Sequence, residues 1–117
     1  MEMEMEQMEQ IYHATTPEEH RRRRELAPRI HDAFTAFGRA VFTDAALDEK
    51  TKQLIAVAVA HTTQCPYCID GHTKLAVRKG AKAEEVMEAI WVAAEMRAGG
   101  AYAHSTLAMS ALAHEGQ

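Results

Sequence analysis

The chain has 117 residues, the size of one ordinary domain, and its 47% hydrophobic and 26% charged content places it among globular rather than disordered chains. A net charge of -4 argues against a general nucleic-acid binder. No apolar run approaches the roughly 20 residues needed to cross a bilayer, and the opening Met, Glu and Gln residues are unlike a secretory signal, so a cytoplasmic protein with no membrane partner is expected.

Met1 to Gln10 alternates methionine with glutamate, a period that suits a strand in residue types that favour helix. Residues 1–14 therefore read as an N-terminal tail or helix, with methionines available to a partner subunit, and residues 15–117 as one helical domain. Thr16-Pro17-Glu18-Glu19 is a helix start: Thr16 caps, Pro17 suits the first position, and Glu19 completes a capping box. Glu18 and Glu19 stand four residues before Arg22 and Arg23, which predicts a solvated, self-paired face. Pro28 separates this piece from a second helix carrying Ile30, Phe34, Phe37 and Val41 at helical spacing. A third opens at Leu47-Asp48, with Asp48 as cap, and runs to about Thr63. Cys65-Pro66 begins a fourth, which Gly80 ends. A fifth spans about Ala83 to Ala98 and is expected to bury Val86, Met87, Ile90, Trp91, Val92 and Ala94. Gly99-Gly100 is read as a break or kink before a last alanine-rich helix reaching about Ala113. With 22 alanines and no strand pattern or hairpin signature, the fold class is all-α, with about six helices. The fifth helix is apolar around more than half its circumference, a stripe wider than so small a domain ordinarily covers itself, which points to a homo-oligomer.

Cys65-Pro66-Tyr67-Cys68 holds the only two cysteines of the chain, with His72 one turn beyond. Two thiols so spaced can close to a disulfide and reopen, and in a reducing compartment a lone CxxC is catalytic or metal-binding rather than a permanent staple. A helix start adds partial positive charge that favours thiolate. The dipole favours Cys65 as the reactive sulfur, whereas His72, at i+4 from Cys68, favours Cys68. A group placed to remove the proton is the more specific device, so Cys68 is assigned as nucleophile and Cys65 as resolving thiol. Gln53, Val57 and His61 line one stripe of the third helix, with Gln53 and His61 roughly 12 Å apart along its axis. His61 is a candidate proton relay. Tyr67 reads as a packing residue, and His13, His20, His31, His104 and His114 as surface or capping groups.

Leu47 to Ala60, followed by Cys65-Pro66-Tyr67-Cys68-Ile69-Asp70-Gly71-His72, resembles the alkylhydroperoxidase D-like family of the carboxymuconolactone decarboxylase superfamily. The likeness spans roughly 47–98. It implies an all-helical fold assembling as trimers or hexamers, and hydroperoxide reduction or disulfide exchange through the two thiols. In family terms Cys68 is peroxidatic, Cys65 resolving, and His72 part of the proton relay. The family places a glutamate twelve residues before the first cysteine, where this chain has Gln53. An amide is no general base near neutrality, although it can hold a water; His61, or else Glu49 one turn earlier, is then the candidate base.

The expected activity is a thiol-dependent hydroperoxide reductase or disulfide oxidoreductase. Its substrate is a hydroperoxide and its electrons come from an external dithiol or thioredoxin-like reductant, since no flavin, haem or nicotinamide motif is visible and no cofactor or metal is assigned. Three readings compete, one of them a helical oligomer whose thiol pair is incidental. Cys65, Cys68, His61 and His72 form a chemically plausible zinc set, but structural zinc sites draw their ligand pairs from separate segments. A decarboxylase-like member without redox chemistry would leave the CxxC idle.

Overall fold

A computed structural model describes residues 12–116, and among these the fold is all-helical. Five helices follow in order: α1 (Pro17–Leu26), α2 (Pro28–Val41), α3 (Glu49–Thr63), α4 (Pro66–Arg78) and α5 (Ala83–Glu115). The reading of Met1 to Gln10 as tail or helix lies outside the described residues. The chain divides between Glu49 and Lys50 into two compact units.

The first unit holds α1 and α2. Thr16 Oγ1 accepts the Glu19 amide at 3.1 Å and the Glu19 carboxylate accepts the Thr16 amide at 3.0 Å, the reciprocal cap read from the sequence. Ala27, whose backbone leaves the helical region, closes α1 and opens α2 with Pro28 at its first position. Arg24 grips Asp32 with two parallel hydrogen bonds of 2.9 and 3.1 Å, tying α1 to α2. The expected Glu–Arg pairing along α1 is replaced by this arrangement. Glu19 is turned to the cap and to His13 Nε2 at 3.0 Å, because a fixed amide one turn away is a better partner than a flexible, solvated guanidinium. No residue of α1 or α2 is buried, and Ile30, Phe34 and Phe37 stand exposed.

The second unit has a small aliphatic core. Val57 of α3, Ala76 of α4, Ala81 in the following turn and Val86 of α5 are buried together, with Leu54 and Ile90 packed against them. Across the N-terminal turns of α3 and α5, Lys50 Nζ lies 2.7 Å from the Glu85 carboxylate. That hydrogen bond, and a second from the Lys82 amide, hold Glu85 below the usual carboxylate range. α4 ends through Gly80, whose φ of 97° lets the Ala81 amide reach back to the Ala76 carbonyl at 2.9 Å.

Two expectations for α5 are corrected. Gly99-Gly100 neither breaks nor ends it: the helix runs unbroken for 33 residues, so there are five described helices where about six were expected. Glycine keeps its amide donor, and its propensity cost of about 1 kcal/mol per residue is outweighed by the helix formers on both sides. The second correction concerns burial. Val86 and Ala93 are buried and Ile90 is half-buried, but Met87, Trp91, Val92 and Ala94 are exposed. The core takes one narrow stripe of α5 at 86, 90 and 93, and hydropathy alone does not distinguish a covered apolar face from an uncovered one.

Candidate redox site

The geometry of the cysteines begins at the end of α3. Gln64 takes a left-handed conformation, φ 58°, and the Cys65 amide returns to the Ala60 carbonyl at 3.1 Å. This is the same closing turn as at Gly80, made here by a residue with a side chain. It reverses the chain so that α4 starts directly on Cys65, the N-cap residue, with Pro66 at the first helical position. The Ile69 amide donates to the Cys65 carbonyl at 2.9 Å, and the Cys68 amide donates to Cys65 Sγ at 3.3 Å. A sulfur thus occupies the place of a capping oxygen.

Cys65 and Cys68 are joined as a disulfide across the first turn of α4, with their Cα atoms 5.3 Å apart. The expected placement of the CxxC at a helix N-terminus is what the structure shows. Both cysteines are half-buried, open enough for a small reactant and sheltered enough to be held. When the bond is open, the helix start and the Cys68 amide both favour charge on Cys65.

His72 follows Cys68 by one turn of α4 and is half-buried. Its Nδ1–H donates to Gln53 Oε1 at 2.7 Å, a side-chain bond between α4 and α3. Gln53 is 2% exposed and is the buried polar side chain of the described residues. No local pattern marks this contact, because it joins residues 19 positions apart. His61 sits near the end of α3, half-buried, with Nδ1–H donating to the Val57 carbonyl of its own helix at 2.7 Å. That hydrogen bond faces the helix rather than either sulfur. Glu49 is the first residue of α3, and its amide donates to the Asp44 carboxylate at 2.6 Å. Of the residues singled out in the sequence, the structure joins Cys65 to Cys68 and Gln53 to His72.

One residue went unnoticed in the sequence. Arg97 of α5 donates to the Thr62 carbonyl at 3.4 Å, tying α5 to the last turn of α3 just ahead of the cysteines. An arginine on an exposed helical face carries no pattern that would single it out. Among the described residues no three His, Cys, Asp or Glu side chains gather to hold a metal ion, so the four-ligand zinc arrangement is not assembled. No described helix is long and apolar enough to cross a membrane.

The profile of the carboxymuconolactone decarboxylase family matches residues 28–111. Among curated proteins, "uncharacterized protein 4 in cox locus" of Paracoccus denitrificans is 66% identical over 83 residues, covering 71% of this chain and 75% of that protein. An uncharacterized protein of Haemophilus influenzae is 43% identical over 84 residues, covering 72% and 74%. Among solved structures, the apo form of a carboxymuconolactone decarboxylase family protein from Legionella pneumophila superposes with a TM-score of 0.60 at 40% identity, covering 62% of this chain and 65% of that one. A protein from Methanobacterium thermoautotrophicum superposes with a TM-score of 0.67 at 34% identity, covering 71% and 93%.

Proposed function

The chain belongs to the carboxymuconolactone decarboxylase family, and on that premise we propose that it is a thiol-dependent hydroperoxide reductase whose working pair is Cys65 and Cys68. The observation that carries the reading is the closure of the two sulfurs across the first turn of α4, with an imidazole one turn beyond the second.

His72 takes the proton of Cys68, and the resulting thiolate attacks the terminal oxygen of a hydroperoxide. The O–O bond breaks, the leaving oxygen takes from His72 the proton removed from Cys68 and departs as an alcohol, and Cys68 is left as a sulfenic acid. The Cys65 thiol condenses with it, releasing water and forming the disulfide. An external dithiol or thioredoxin-like reductant then reopens the disulfide by thiol exchange and is itself oxidised. In that step the Cys68 amide and the helix start stabilise Cys65 as it leaves as thiolate. His61 can act only as a more distant relay, since its ring hydrogen-bonds its own helix.

The same chemistry without peroxide is disulfide exchange, and one observation favours it as a second reading: Gln53, which hydrogen-bonds His72, is an amide and not a carboxylate base. We further propose a cytoplasmic homo-oligomer, a trimer or hexamer, because Trp91 (64% exposed) and Phe34 (72% exposed) are large apolar side chains left open by a single chain.

The test is peroxide consumption with a dithiol reductant. Wild type turns over continuously, Cys65→Ser makes one turnover and stalls as the sulfenic acid, and Cys68→Ser loses at least about a hundredfold in rate. Sustained turnover by Cys68→Ser overturns the assignment. Reduction of a disulfide substrate in place of peroxide selects the second reading.

A further inference from the structure

We propose that Gly71 sets how large a reactant can reach Cys68: the side chain it lacks would stand over the sulfur, and its absence leaves that approach open. The inference deepens the redox reading and rests on it for the nature of the reactant, though not for the open space itself.

The helix brings the two positions together. Gly71 follows Cys68 by three residues in α4, roughly 4.5 Å along the axis, so a side chain there would start about 5–6 Å from that of Cys68. Helical side chains lean toward the N-terminus and cover the turn before their own Cα. Any side chain at position 71 would therefore cover Cys68.

Nothing else in the structure asks for a glycine at this place. Gly71 is half-buried, yet nothing lies within 4 Å of where its Cβ would sit. An alanine would fit without touching a neighbour. Its φ is not among the positive values of the chain, so no backbone strain excludes a larger residue. Glycine is also among the poorest helix formers, and here it stands in the middle of α4. Neither packing nor backbone conformation accounts for it; what its position does is leave Cys68 uncovered.

The chemistry supplies a direction of approach. An external thiolate displaces Cys65 from Cys68 along the line of their bond, entering opposite the leaving sulfur. Cys65 lies one turn before Cys68, so the entering sulfur comes from the side of the following turn, which carries Gly71. A bond forms between the reductant sulfur and Cys68, the Cys65–Cys68 bond breaks, and its electron pair leaves on Cys65 as thiolate. A second reductant thiolate then attacks the first reductant sulfur and frees Cys68 as thiolate. The reductant ends as its own disulfide, and the two protons from its thiols end on the cysteines.

Reduction of the disulfide tests this without peroxide. Oxidised full-length protein is mixed with 2-mercaptoethanol or with glutathione, and the appearance of protein thiol is followed. Relative to wild type, Gly71→Leu is expected to slow glutathione at least about tenfold and 2-mercaptoethanol less than about threefold. The intrinsic reactivity of each thiol cancels in that ratio. Gly71→Ala, which places one methyl group in open space, is expected to melt above wild type. Equal slowing of both thiols by Gly71→Leu, or slowing of neither, overturns the proposal. So does a Gly71→Ala protein that melts below wild type, because the space would then be filled. Alkylation of Cys68 in a reduced Cys65→Ser background, iodoacetamide against N-phenylmaleimide, repeats the size test with Gly71→Met. The larger reagent is expected to be slowed selectively there too, and an unchanged ratio overturns the proposal as well. Wild type that consumes no peroxide, with the size dependence as expected, would remove the peroxidase reading and leave the access role of Gly71 standing.

Discussion

The two units are ordered by different physics. Residues 50–116 have a buried aliphatic core and a buried amide, so side chains such as His72 are placed by packing from more than one helix. Residues 12–49 bury nothing in α1 or α2 and are held by a backbone cap, two prolines and a bidentate ion pair at the surface. Redox chemistry at Cys65 and Cys68 needs a thiol, a base and a resolving sulfur in fixed relation, and the proposed site lies in the unit whose geometry is set by burial. A mutation should therefore be costly there through lost packing, and mild in the other unit.

The largest effect tests the core. Val57 is 0% exposed and lies one turn after Gln53. Val57→Ala removes two methyl groups from a site with little room to collapse, at a cost of about 2 kcal/mol of folding stability. Urea denaturation measures it, and the midpoint is expected to fall without a change in slope. A loss below about 0.5 kcal/mol would mean that this core does not carry the unit.

The two helix-closing turns give a finer comparison. Gly80 and Gln64 both adopt positive φ, 97° and 58°, in equivalent positions at the ends of α4 and α3. Nothing lies within 4 Å of where a Cβ on Gly80 would sit, so Gly80→Ala costs backbone strain alone, about 1 kcal/mol. Gln64→Gly relieves strain of similar size but adds entropy to the unfolded chain, leaving a gain of less than about 1 kcal/mol. Opposite signs in a denaturation series confirm the pairing; equal signs break it.

Much of this was legible in the sequence, and the part that was not has a physical reason. Thr16-Pro17, Pro28, Cys65-Pro66 and Gly80 mark helix ends because their chemistry is local: a cap, a missing amide, a positive φ. Gln64 gave no such mark, because a left-handed residue other than glycine is imposed by its surroundings. The Gln53–His72 contact depends on that turn, since Gln64 sets how α4 returns against α3. The continuity of α5 through Gly99-Gly100, and the exposure of Trp91, are likewise decided by flanking propensity and by what does or does not cover a face.

The smallest predicted effect lies in the first unit, where order is local. Glu19 is held down to about 2, first by the Thr16 amide, then by the His13 ring and the Thr16 side chain. A carboxylate whose folded value lies below its ordinary 4.5 contributes stability that is present above that ordinary value and lost as pH falls toward 2. Acid should thus release the Thr16 amide and fray the start of α1, while in residues 50–116 the same linkage acts only through Glu85 and its bond to Lys50. The Thr16 amide resonance is expected to titrate with a midpoint near 2, and to be flat in Glu19→Gln, which keeps an acceptor oxygen but cannot ionise. A midpoint near 4.5 would show that the cap is too solvated to hold the carboxylate. A Val57 core that changed on Glu19→Gln at neutral pH would show that the two units are not ordered independently.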